Sequence, residues 1–259
     1  MTSSVDSVSA DDKVGRRPPS PNRVPVRAAI GQSATMARRG LLKIKHNPQQ
    51  LFDVIVLPIV FTIVFSTIFG GAIAGSVKAY LPLLIPGVLV QVSVAASVVT
   101  GVQLREDLDK GVFDRFKSLP IARIAPLAGA LVANGVRYVV ATVITVAVGM
   151  LMGYRPHSFG GLVLACVLVV LVAFTLSWVF ALLGVLLDKA STVQGVSMLV
   201  LMPMTFVSNA LVPIATMPGW MQAIASVNPV SHLVSAARAL ADGQAAGLQI
   251  AYTLAGAAA

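Results

Sequence analysis

Between Arg105 and Lys117 the chain reads REDLDKGVFDRFK, four acids and four bases flanked by long runs with almost no charge. A loop built to hold lipid headgroups would be plainly basic. Here, from Arg105 to Arg123, four acids and five bases nearly cancel. Phe113 and Phe116 sit among them, and aromatic residues together with arginine dominate protein-binding hot spots. The chemistry on offer is recognition rather than bond-making, on a surface that docks another protein. The competing reading is a solvated loop whose apolar residues tuck against a membrane.

Plotted as a helix, residues 104–119 place Leu104, Leu108, Val112, Phe116 and Leu119 on one face. Arg115 falls among them and Gly111 sits in the middle, where glycine costs about 1 kcal/mol relative to alanine. The spacing predicts a short helix, a bend near Gly111 and a second turn stopped by Pro120.

Elsewhere reactive side chains are scattered. His46, His157 and His232 lie in separate segments, and the single cysteine, Cys166, lies inside an apolar run. An intrachain disulfide and a cysteine-based metal site are therefore excluded. Hydrolase or transferase chemistry needs clustered acids, histidine ligands or an activated nucleophile, and the apolar runs hold no acid pair. No G-x-x-x-x-G-K-[ST] loop occurs, so the chain cannot cradle a triphosphate in that manner. One charge lies deep in an apolar run: Arg137, with Asn134 one turn earlier on the same face. An intramembrane cation costs some 2.5–3.5 kcal/mol on insertion scales (roughly) and is a functional candidate by default, although arginine can also snorkel to the surface. No Asp or Glu accompanies it to neutralise an amine. A cationic amphiphile would have to be held by apolar and aromatic surface such as Phe174, Trp178, Phe180 and Phe206, residues that equally serve packing or face lipid. Gly71-x-x-x-Gly75 could bring helices close, but it lies at the edge of a span.

The elements that position these residues follow from composition. Of 259 residues, 56% are hydrophobic and 11% charged, with a mean hydropathy of +0.85. A soluble domain carries about a quarter charged residues. The excess apolar surface must face something other than water, and uncharged runs of this length read as transmembrane helices, since about 20 residues cross a hydrocarbon core. The fold class is an all-α integral membrane protein. Spans are expected at about 51–70, 81–103, 126–150, 161–187 and 193–213, with a sixth apolar segment at 245–259. Those fifteen residues rise only ~22 Å, so either the chain is truncated or that segment starts earlier. Pro218-Gly219 and Asn228-Pro229 break the apolar stretch between the last two, which predicts two short helices dipping into the outer leaflet.

Residues 1–29 are rich in Ser, Pro and charge and read as a disordered tail without a signal-peptide core. From 30 to 47, Ile30, Ala34, Ala37, Leu41 and Ile44 draw one narrow helical face, with Arg38, Arg39, Lys43 and Lys45 outside it. Such a helix lies in the membrane surface with its cations near anionic headgroups; the alternative is an ordinary cytoplasmic flank. With the N-terminus inside, segments 1–50, 104–125 and 188–192 carry nine, five and one Lys/Arg, against only Lys78, Arg155 and Arg238 outside. The bias places the N-terminus and the 105–117 segment in the cytoplasm of a multi-pass cell-membrane protein. It also accounts for the net charge of +9 without nucleic acid.

The stretch REDLDKGVFDRFKSLPIARIAPLAGALVANGVRY, followed by MTFVSNALVPIATMPGWMQAIASVNPVSHLVSAARAL, resembles the permease subunit of ABC-2 type exporters. The drug-resistance permeases of actinobacteria, named for daunorubicin and doxorubicin, look most similar, and LLKIKHNPQQLFDVIVLPIVF before the first span fits that subgroup. The resemblance covers residues 36–255. It implies a six-span, type V exporter-like ABC-2 transmembrane domain over 48–259, with an amphipathic helix before the first span and re-entrant outer helices before the last. It implies permeases that pair, as a homodimer, and bind cytoplasmic ABC ATPase subunits. ATP and Mg would then act through the partner, with no cofactor bound by this chain. Helix 30–47 becomes the elbow beside the ATPase, and Gly111, Phe113, Asp114, Arg115, Phe116 and Lys117 become the coupling element. Asn134, Arg137, Phe174 and Trp178 are candidates for a path taken by a hydrophobic drug or, alternatively, a lipid or glycolipid. A secondary transporter or an accessory membrane anchor is the rival of another class; ion coupling would call for buried ionisable groups, and here only Arg137 qualifies.

Overall fold

The computed structural model describes residues 48–112 and 125–244. The tail 1–29, the helix read at 30–47 with Arg38, Arg39, Lys43 and Lys45, the coupling residues Phe113–Lys117 and the segment 245–259 lie outside the described residues.

The described residues are helical throughout, in the order α1 Pro48–Ala74, α2 Val77–Asp109, α3 Ala125–Leu151, α4 Phe159–Leu186, α5 Ala190–Phe206, α6 Gly219–Val227 and α7 Pro229–Ala241, with a 3-10 turn at Ile214–Thr216 before α6. Four of them, α1 to α4, are long and apolar enough to cross a membrane. α5 has 17 residues, or ~25 Å at 1.5 Å per residue.

Local chemistry sets the joints. Gly75 takes φ +72 between α1 and α2, a left-handed turn that a side chain would strain. Ser76 then caps α2, its hydroxyl accepting from the Ala79 N–H. Ser158 caps α4 in the same way through the Gly161 N–H. At its far end α2 runs past the expected span limit of 103 to Asp109. It stops where Gly111 takes φ +64, so a helix and then a break fall where the sequence places them. Asn228 accepts from the Val230 N–H at the start of α7, and Pro229 occupies the first turn, where its missing N–H costs nothing.

The fifth helix differs from the expected 193–213, because it ends at Phe206. Residues 207–213 are as apolar as the helix before them, so hydropathy could not separate the two. The Asn228 side chain ends the helix by donating to the carbonyls of Met204 at 2.6 Å and Val207 at 3.1 Å. The segment 207–213 is thereby freed to turn back.

α2 is the central element. It packs against α1, α3, α4, α5 and α7, and 78% of its most apolar window is buried, against 28% for α1. Tyr80, Leu84 and Val88 meet α1 in one core, while Leu89, Val90, Val94 and Val98 meet α4, α5 and α7 in the largest one. Phe61, Phe65 and Phe69 ladder along α1 at 5.2 and 5.8 Å between successive rings. Large apolar side chains remain exposed along α1, α3, α4 and α5. Lipid or another apolar surface is the only environment that makes such exposure inexpensive.

Candidate functional site

Three regions of the chain carry the candidate chemistry: the Asp109 end of α2, a polar group midway along α2 and α3, and a cluster where α2 meets the turn after α5.

At its Asp109 end, α2 carries Arg105, Glu106, Asp107 and Asp109, with Lys110 next to them. Arg105 donates through Nε to Asp109 Oδ1 at 2.9 Å, and Lys110 pairs with Glu106 at 3.4 Å. Both are four-residue helical pairs on an exposed surface, where solvent screening leaves them a small contribution. They stiffen the end of the rod rather than hold the fold. Asp188, in the turn between α4 and α5, also acts electrostatically on Arg105. Gly111 marks the end of the helix, and the rest of the predicted coupling element follows it in sequence.

The middle region contains Asn134 and Arg137, both buried, with Arg137 only 3% exposed. The guanidinium is therefore enclosed by protein rather than reaching the membrane surface. Arg137 Nη1 lies 3.5 Å from Asn134 Oδ1, one turn back along α3. The next residue, Tyr138, is fully buried and shares a 2.9 Å hydrogen bond with Thr100 of α2. Ser177 of α4, also buried, instead donates to the Phe174 carbonyl at 2.6 Å. Phe174 of α4 lies beside Gly135 of α3, where an added Cβ would stand 3.8 Å from its ring. Trp178 packs edge-on to Phe174, with centroids 6.5 Å apart, and is 44% exposed. The structure therefore gathers all four predicted path residues along α3 and α4, with the polar pair inside and Trp178 at the surface.

Two cavities lie nearby, and none of those four residues lines either. One, of about 530 Å³, is an apolar cleft between α3 and α4 bounded by Val143, Met150, Phe159, Val163 and Cys166. The other, of about 270 Å³, lies among α2, α4, α5 and α7 and includes Phe180, Ser197 and Leu233. Of the predicted aromatics, Phe180 lines the second of these two cavities.

The third region escaped the sequence reading. Tyr80, near the start of α2, donates to the Leu211 carbonyl at 2.5 Å. Arg238 of α7 donates to the carbonyls of Leu83 in α2 at 2.8 Å and Asn209 at 3.0 Å. Asn209 in turn donates to Ser235 Oγ at 2.7 Å. A guanidinium stays a cation in proteins, so the two bonds from Arg238 are charge-assisted. The available signal was Arg238 itself, the first charge after a long uncharged stretch. Counted only as an outside charge, it gave no hint that it turns inward.

Comparison with known proteins follows the same outline. The family model described as ABC-2 type transporter matches residues 31–241. The chain is 41% identical over 223 residues to the daunorubicin resistance ABC transporter permease protein DrrB1 of Streptomyces coeruleorubidus, covering 85% of this chain and 79% of that one. It is 26% identical over 145 residues to DrrC of Mycobacterium tuberculosis, a permease named for doxorubicin resistance, covering 55% of this chain and 51% of the other.

Proposed function

The chain belongs to the ABC-2 type transporter family, and we propose that it is the permease of an ATP-driven exporter that moves hydrophobic or amphiphilic, anthracycline-like drugs out of the cell. The observation that carries this reading is the 41% identity, over most of both chains, to a permease named for daunorubicin resistance. The apolar exposed faces of α1, α3 and α4 suit a chain that handles and borders hydrophobic matter.

Energy comes from a separate cytoplasmic ABC ATPase with its own ATP and Mg, since this sequence has no phosphate-cradling loop. The ATPase grips the Gly111–Lys117 segment, which continues directly from the inner end of α2. Helix 30–47 lies beside it as an elbow. The Lys/Arg count supports a cytoplasmic N-terminus. Six crossings require 245–259 to complete the last one. Two permeases pair, and the exposed Leu199, Met202 and Phe206 of α5 offer apolar surface to a second copy or to lipid.

The pair α6 and α7 is re-entrant in this reading. Trp220, Ile224 and Val227 recur at i, i+4 and i+7 on α6, and all three are exposed. Such a face suits the outer leaflet, with tryptophan at the headgroup level.

The test is expression in a drug-sensitive host, with and without the ATPase, following daunorubicin accumulation by its fluorescence. Lowered accumulation only with the intact pair supports the proposal. Resistance from this chain alone would mean a pump that needs no ATPase, and lipid redistribution without drug export would move the substrate to a lipid or glycolipid.

A further inference from the structure

Three elements distant in sequence converge on one guanidinium. Arg238 projects from α7 and reaches Leu83 on α2, 155 residues away, and Asn209 in the turn after α5. Both bonds leave from the same nitrogen, Nη2, which carries two hydrogens and so can serve two acceptors.

The α2 acceptor lies between Pro82 and Pro86, and a backbone carbonyl has a second lone pair for a donor from outside the helix. Beside them the turn presses onto α2 itself, because a Cβ on Gly87 would overlap the Ala210 carbonyl oxygen. Tyr80 adds its bond to Leu211. The turn is tied on its other side to α7 by Asn209–Ser235 and to α6 and α7 by Asn228, which stands at their junction. A half-buried guanidinium bonded through Nη2 to two carbonyl oxygens is a strong fastening, since charge-assisted bonds exceed neutral ones.

We propose that Arg238 is a positioning residue whose guanidinium fastens the helix pair α6–α7 and the 207–213 turn to the proline-containing first turns of α2, so that this end of the molecule moves with α2 as one body. α2 is a continuous helix of 33 residues, ~50 Å long, and its other end runs into the segment assigned to the ATPase. A displacement delivered at Asp109 then reaches the outer helix pair through a single rod. That last step rests on the export reading; the fastening does not.

The experiment uses the full chain with its ATPase in liposomes, in a Cys166→Ala background, with spin labels at Lys78→Cys and Ser226→Cys, both exposed positions. Electron–electron double resonance between the labels is expected to give one narrow distance when Arg238 is present. Arg238→Met keeps the stem but removes the donors, and it should broaden that distribution. Arg238→Lys keeps a cation and a donor and should fall between. Tyr80→Phe, which loses only the Leu211 bond, should broaden it less than Arg238→Met, and it supplies the reading if the methionine variant does not accumulate. With the ATPase running, Arg238→Met should still support ATP hydrolysis while efflux falls about fivefold or more, the scale of a lost coupling energy. An unchanged narrow distance in Arg238→Met, or in Tyr80→Phe where only that variant accumulates, overturns the fastening. Unchanged distances in both states of the ATPase cycle, with efflux and hydrolysis falling together, overturn the transmission. If the parent chain exports no drug, the export reading falls while the distance result still decides the fastening.

Discussion

Gly101 of α2 and Gly184 of α4 lie backbone to backbone: a Cβ on Gly184 would overlap the Gly101 carbonyl oxygen, and one on Gly101 would overlap that of Phe180. Within a membrane, helices associate through such close packing because lipid supplies no hydrophobic drive between them. Just past this crossing, Asp188 in the turn after α4 acts electrostatically on Arg105 of α2.

Replacing either glycine should therefore wedge the two helices apart. Gly101→Ala and Gly184→Ala are each expected to destabilise by about 1–3 kcal/mol, the usual cost of overpacking. Gly195→Ala, whose Cβ meets nothing within 4 Å, should be neutral or slightly stabilising. Thermal unfolding in detergent, followed by size-exclusion fluorescence, checks the contrast. Equal melting temperatures for all three variants would remove the crossing as a stabilising contact.

Asn228 makes three bonds at one joint: two from Nδ2 to the end of α5 and one accepted by Oδ1 at the start of α7. Asn228→Ala should cost about 1 kcal/mol for the lost cap, with more for the uncovered carbonyls. The 207–213 turn should open first. Limited proteolysis, or labelling of a cysteine placed at Ser208 in a Cys166→Ala background, would show faster attack there than in the parent chain.

Arg137 is enclosed, so its replacement tests function and folding together. Arg137→Gln keeps a polar side chain and is expected to lower drug efflux without abolishing insertion. Arg137→Met should lower stability as well, by about 1–3 kcal/mol, because Asn134 loses its charged donor in a buried place. Full efflux by the glutamine variant would restrict Arg137 to a packing role.

The docking assignment predicts a separable defect. Replacing Phe113 and Phe116 by Ala should release the ATPase from the permease by removing two aromatic anchors, on the order of 2 kcal/mol or more if they are hot spots. Membrane insertion should be unaffected. Co-purification of the ATPase at parental yield would remove these residues from the interface.

Much of the helix pattern was readable from the chain because its cause is local. Charge-free runs of 20 or more residues have one inexpensive environment, and Gly111 announced its break through backbone freedom alone. Pro218-Gly219 and Asn228-Pro229 marked the starts of two short helices for the same reason. The end of α5 was not readable. Its terminator is an asparagine more than twenty residues downstream, and no window of sequence joins Asn228 to Met204.

The same division runs through the site. Composition by itself determined a helical membrane chain, and residue types alone nominated Arg137 as a buried cation and 105–117 as a recognition segment. Only the tertiary structure decided that Tyr138 joins α3 to α2 through Thr100, and that Arg238 turns inward to the carbonyls of Leu83 and Asn209. Hydropathy and charge are sums over neighbours along the chain, whereas a hydrogen bond depends on where two distant segments meet, and that meeting is fixed by how glycines such as Gly101 and Gly184 let the helices cross.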